Sequence, residues 1–126
     1  MARVSGVQHV AVTVDDLASA LEFYVGLLGL EVLPRPDLPF EFAWLRAGSQ
    51  EVHVGVGEPN PSRRNHFALE VEDIDGFVAR LEAGGVEVFR VDPPIVGAGR
   101  QAIVKDPAGN MVELNEPDAA SRALRA

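Results

Sequence analysis

Cysteine is absent from this chain of 126 residues. That excludes disulfides, thiolate zinc sites and thiol nucleophiles. Long apolar runs are absent too. None approaches the ~18 residues that a membrane-spanning helix needs. The N-terminus, MARVSGVQHVAV, has neither the basic region nor the apolar core of a signal peptide. A cytoplasmic location is the default expectation. Basic residues are scarce: 11 Lys and Arg stand against 19 Asp and Glu, a formal net charge of −8. Such a balance disfavours nucleic acid and anionic membrane surfaces, and leaves small molecules as the expected partners. The apolar fraction, 47%, is that of an ordinary globular protein. The length suits one domain that buries a core without covalent staples.

What is present is a repeat. His66 to Phe89 restates His9 to Leu33. His66 follows His9 by 57 positions, and Val71-Glu72-Asp73 follows Val14-Asp15-Asp16 by the same interval. After a slip of one residue, Gly85-Val86-Glu87-Val88 matches Gly29-Leu30-Glu31-Val32. Two long copies are too few for a solenoid and suggest two half-domains.

Each copy reads as strand, helix and three strands. Val10, Val12 and Val14 alternate with His9, Ala11 and Thr13, which makes a strand with one apolar face. Asp15 and Asp16 cap a helix whose stripe is Leu17, Leu21, Tyr24, Val25 and Leu28, and Gly29 ends it. Strands are expected over 30–33, 40–45 and 51–56, with prolines 34, 36 and 39 forcing a loop between the first two. GEPNPSRRN, residues 57–65, is a linker. The second copy repeats the plan with a strand from His66, a helix capped by Asp73 with its stripe at Ile74, Phe77, Val78 and Leu81, and strands over 86–91, 100–105 and 111–115. Asp106-Pro107-Ala108-Gly109-Asn110 is a turn between the last two. The domain is therefore α+β, with modules 7–56 and 66–116 and a tail, 117–126, that is a frayed helix or disordered. One sheet face is covered by helix; the other is left concave.

Four metal-competent side chains fall on that second face. His9 and His66 open the first strand of each module. His53 and Glu113, 60 positions apart, lie on the last strand of each. A single strand histidine is more often a hydrogen-bonded core residue than a ligand. Coincidence here would have to place all three histidines of the chain and one carboxylate at repeat-related positions. Imidazole and carboxylate together suit zinc, nickel, manganese or iron.

The doubled β-α-β-β-β plan, His9-Val-Ala-Val leading to Val14-Asp15-Asp16, and Asp106-Pro-Ala-Gly-Asn leading to Val112-Glu113-Leu114 resemble the vicinal oxygen chelate superfamily. This group includes glyoxalase I, methylmalonyl-CoA epimerase, fosfomycin-resistance enzymes, extradiol dioxygenases and bleomycin-binding proteins. The resemblance covers Val7 to Glu116. It implies a glyoxalase-like fold and one divalent metal held by His9, His53, His66 and Glu113. There are departures. Glyoxalase I uses a glutamate in proton transfer where this chain has His53. Fosfomycin enzymes carry a threonine where this chain has Ala11. Extradiol dioxygenases use two histidines and a glutamate, matched by His9, His66 and Glu113. Bleomycin-binding proteins lack the metal set.

The reading that follows is a metal-dependent lyase or isomerase acting on a small O,O-chelating substrate. Glu113 or His53 would move the proton. An Fe(II) ring-cleaving dioxygenase and a non-catalytic small-molecule binder are the alternatives. Arg100 is a candidate for a substrate carboxylate, with a surface ion pair as its plainer role. Trp44, alternating with Phe40 and Phe42, is either core or substrate wall. Thr13 and Glu70 are candidates to support the ligands. Because each half leaves a sheet edge open and one half cannot enclose a metal, a homodimer is expected.

Overall fold

Alternating strands and capped helices build two separate sheets in the computed structural model, which describes residues 1–126. The chain divides into two compact units, Met1–Pro59 and Asn60–Ala126. The elements of the first are β1 (His9–Val14), α1 (Leu17–Leu21), which continues as a π-helical segment (Glu22–Leu27), β2 (Glu31–Leu33), β3 (Phe42–Ala47) and β4 (Gln50–Val56). Those of the second are β5 (Phe67–Glu70), α2 (Ile74–Ala83), β6 (Phe89–Arg90), β7 (Arg100–Lys105), β8 (Met111–Glu116) and α3 (Ala119–Leu124). Each unit holds a four-stranded sheet, in the order β1-β4-β3-β2 and β5-β8-β7-β6. The fold is α+β, and the two sheets share one plan. No helix is long and apolar enough to cross a membrane.

In both sheets the first strand pairs parallel with the last, and the other pairings are antiparallel. The helix provides the crossover that a parallel pair requires. In the first unit, Val14, Ala43, Leu45, Val52 and Val54 are buried together with Ala20, Phe23, Tyr24 and Leu28 of the helix. The expected stripe is corrected here. Leu17, Leu21 and Val25 are only half-buried, and Phe23 and Ala20 take the core places. The wider π turn rotates the side chains after Leu21 away from the 3.6-residue spacing. Leu28 N–H reaches the Phe23 carbonyl, five residues back, at 2.9 Å. Gly29, at φ 78°, then ends the helix in the left-handed region that suits glycine.

In the second unit, Ile74, Val78 and Leu81 of α2 are buried with Ala102, Val104, Val112 and Leu114. Full burial of side chains such as Leu81 and Leu114 contributes ~1.5–3 kcal/mol each. Asp73 caps α2, its carboxylate accepting from Gly76 N–H at 3.1 Å. The strand expected over 86–91 is reduced to Phe89–Arg90, in register with Ile103 and Ala102 of β7, and Val91 N–H adds one bond to the Gln101 carbonyl at 3.1 Å. The tail is ordered: Asp118 and Ser121 form a reciprocal capping box that starts α3.

Candidate metal centre

The strand registers put the candidate ligands on the face of each sheet away from its helix. In the first unit, antiparallel pairing sets Trp44 opposite His53, and parallel pairing sets Ala11 opposite His53 and His9 opposite Glu51. Three flat rings consequently pile up. Trp44 stacks on His53 with centroids 4.5 Å apart and planes 7° apart. His53 stacks on His9 at 4.0 Å and 13°. The aromatic row runs on through Phe42, 6.1 Å from Trp44, to Phe40. Arg35 caps it, 4.2 Å above the Phe42 ring. The core beneath β3 is filled instead by Ala43 and Leu45. Phe40 is exposed and Trp44 half-buried, so these two are not core residues.

Two hydrogen bonds fix the histidines of this unit. His53 Nε2 lies 2.9 Å from Glu51 Oε1. His9 Nδ1 bonds the Gln8 side-chain oxygen.

The second unit is more elaborately supported. His66, immediately before β5, donates from Nδ1 to the Arg64 carbonyl at 2.7 Å. Its Nε2 lies 3.1 Å from Glu113 Oε1. The other carboxylate oxygen of Glu113 accepts from Gln101 Nε2 at 3.1 Å and Asn115 Nδ2 at 2.9 Å. Asn115 is itself anchored on the Ala98 carbonyl at 2.9 Å. Glu113 is buried, yet its pKa is lowered. Burial works against the charge, and the hydrogen bonds from Asn115, Gln101 and His66 outweigh it. The His66 pKa is raised, first by the Arg64 carbonyl and then, against burial, by Glu113.

The donor set suits a cation. With the Nδ1 proton committed to Arg64, neutral His66 presents a lone pair from Nε2, and Glu113 Oε1 presents another. Two lone pairs 3.1 Å apart need a positive charge between or beside them. A proton serves, and the Arg64 carbonyl and Glu113 both favour it on His66. A divalent metal with bonds of ~2.0–2.2 Å to nitrogen and oxygen suits the same pair. Each unit thus brings together one pair of the expected donors: His9 with His53, and His66 with Glu113. Neither unit gathers three His, Asp or Glu side chains into a cluster of its own.

Other expectations are met differently. Arg100 lies on the helix side of its sheet, where it grips Asp75 of α2 through two bonds of 2.8 and 3.1 Å. Residues alternate across a strand, so Arg100 faces away from Glu113, and it makes the ion pair that was the plainer of its two roles and not the substrate contact. Glu70 lies with Asn115, Arg122 and Arg125 around a cleft of about 510 Å³ beside α3. The supporting residues that sequence reasoning missed are Glu51, Gln101 and Asn115. Glu51 and Asn115 share a face with His53 and Glu113 by the two-residue period of β4 and β8, a signal that was available; Gln101 reaches that face only through the register that sets it opposite Asn115.

Comparison with known proteins follows the same lines. Residues 6–114 match the model of the Glyoxalase/Bleomycin resistance protein/Dioxygenase superfamily. A lactoylglutathione lyase of Arabidopsis thaliana is 30% identical over 127 residues, 84% of this chain. The chain spans about two fifths, 42%, of that plant protein's length. A probable lactoylglutathione lyase of Vibrio cholerae is 29% identical over 84% of this chain and 86% of its own. Among solved structures, a glyoxalase-family protein from Bacillus anthracis superposes with a TM-score of 0.83 at 31% identity, covering 94% of this chain and 99% of its own. The antibiotic-binding protein TnmS3 from Streptomyces gives 0.72 at 28%, covering 94% and 100%. The fosfomycin resistance protein FosX of Listeria monocytogenes, solved with Mn(II) and sulfate, gives 0.79 at 21%, covering 98% of both chains, which establishes a common fold.

Proposed function

The chain belongs to the glyoxalase/bleomycin resistance protein/dioxygenase superfamily, and on that premise we propose that it is a glyoxalase-like, metal-dependent enzyme. Its reaction is a lyase or isomerase step on a small substrate with two neighbouring oxygens. His9, His66 and Glu113 hold the metal, and His53 is either a fourth ligand or the base. The observation that carries this reading is the His66–Glu113 pair, 3.1 Å apart and braced from behind by Gln101 and Asn115. Ligands of metals are braced in this way by outer hydrogen bonds.

A divalent cation at this centre supplies Lewis acidity for an oxyanion that develops on the substrate. The chain's own residues do the rest. Gln101 and Asn115 hold Glu113 Oε2, which leaves Oε1 turned toward His66. The Arg64 carbonyl fixes the His66 tautomer. The Trp44 ring offers a flat wall beside His53, suited to the carbon skeleton of a substrate. Proton transfer would fall to His53, where it is not a ligand, or to Glu113 once detached from the metal.

Elemental analysis of protein purified without chelator tests the reading, together with calorimetric titration of Zn(II), Ni(II), Mn(II) and Fe(II). The adduct of methylglyoxal and glutathione is the first substrate to try, because the named relatives are lactoylglutathione lyases. Nickel, zinc or manganese bound near one equivalent supports the lyase or isomerase. Iron with oxygen uptake on a catechol would move the assignment to a ring-cleaving dioxygenase. Absence of affinity for every metal would sink the enzyme reading. A binding protein would then be favoured by the aromatic row, which runs from half-buried Trp44 through Phe42 to exposed Phe40, and by the likeness to TnmS3.

A further inference from the structure

We propose that Glu51 is the positioning carboxylate of His53, accepting a hydrogen bond from Nε2–H so that unprotonated Nδ1 is the nitrogen with which His53 works. Three independent contacts fix this ring. Trp44 lies against one face and His9 against the other, within 7° and 13° of parallel. That sandwich sets the plane of the ring but leaves open which edge faces which neighbour. The Glu51 carboxylate settles the edge, 2.9 Å from Nε2.

The geometry follows from the strand. Glu51 and His53 are two residues apart on β4, so both project from the same face. Arg46, the cross-strand partner of Glu51, is engaged with Glu31 at 3.3 Å. The His53 side chain is 17% exposed and that of Glu51 29%. An ionised carboxylate only accepts hydrogen bonds, so the nitrogen facing it must be the one that carries hydrogen. Neutral imidazole then has its lone pair on Nδ1. A carboxylate in this position fixes the tautomer and the orientation of the imidazole. Glu51 touches neither metal nor substrate in this arrangement and acts only through His53.

The tautomer can be read without any metal. Long-range proton–nitrogen correlation spectra of the metal-free protein above pH 7.5 should give His53 a protonated Nε2 and an unprotonated Nδ1. Glu51→Ala should lose that preference and Glu51→Gln, whose carbonyl still accepts, should keep it. An unchanged His53 spectrum in Glu51→Ala, or Nδ1–H in the wild type, overturns the proposal. A second arm rests on the metal-centre reading and uses zinc. Where zinc is found attached to His53, Glu51→Ala should weaken zinc affinity ~10–100-fold, the usual cost of losing such a partner, with an unchanged circular dichroism spectrum. Zinc attached to His53 through Nε2 overturns the proposal. Failure of zinc to bind the wild type at all would count against the metal centre, while the tautomer would still be decided by the metal-free spectra.

Discussion

Free histidine titrates near ~6.5, and His66 holds its proton more tightly than that because the Arg64 carbonyl and Glu113 both favour the charged ring. A metal at Nε2 must displace this proton. Metal affinity should therefore fall as pH falls, and the decline should begin above the ordinary histidine value. Calorimetry at stepped pH checks this; an affinity flat from neutral to mildly acidic pH would remove histidine from the ligand set. The individual residues were legible to different degrees. His9, His53, His66 and Glu113 stood out because the repeat doubled them. Glu51 and Gln101 did not, because neither has a repeat-related partner of similar chemistry. For Arg100 the ion pair was legible as the plainer role, but its place at the start of β7 says nothing of which carboxylate, Asp75 of α2, the fold brings to it.

That carboxylate, Asp75, ties α2 to two strands. It accepts from Arg90 at 2.7 Å and from Arg100 at 2.8 Å. The two arginines, Arg100 foremost, lower its pKa to about 2. A lowered carboxylate pKa contributes stability that is present above the unfolded value and is lost as pH falls through the folded one. The wild type should exceed Asp75→Asn in urea midpoint at pH 5, and the gap should close as pH approaches 2. A constant gap would show that the pairing is not what Asp75 contributes. The β7–β8 turn offers a larger effect. Buried Asp106 accepts from Ala108 N–H at 3.0 Å, Asn110 N–H at 2.8 Å and the Asn110 amide at 2.9 Å. Asp106→Ala should cost about 1–3 kcal/mol in urea unfolding, because those donors lose their partner. Turns and caps of this kind were readable from the sequence. The π-helical segment was not, since a 3.6-residue stripe is assumed before it is sought.

At the scale of the whole molecule, the repeat has become two sheets of identical strand order, each carrying half of the proposed donor set. Two half-sets make a centre only when joined, either within one chain or between two. A homodimer is expected from the open sheet edges, and sedimentation at micromolar concentration checks it; a monomer that binds metal would refute the requirement. Mixing His9→Ala with Glu113→Ala chains then reads the arrangement. One site regained per mixed dimer means that partners share their centres, and none regained means that each chain completes its own. The doubled plan was visible in the sequence because both copies keep the histidine, the acidic turn and the glycine stop. The central claim is that His9, His66 and Glu113 are ligands and not supports of the fold. Calorimetric metal titration of the three single alanine variants, each paired with a circular dichroism spectrum, tests it most directly. Each variant should lose metal binding and keep the wild-type spectrum; full affinity in any one of them would contradict the centre described here.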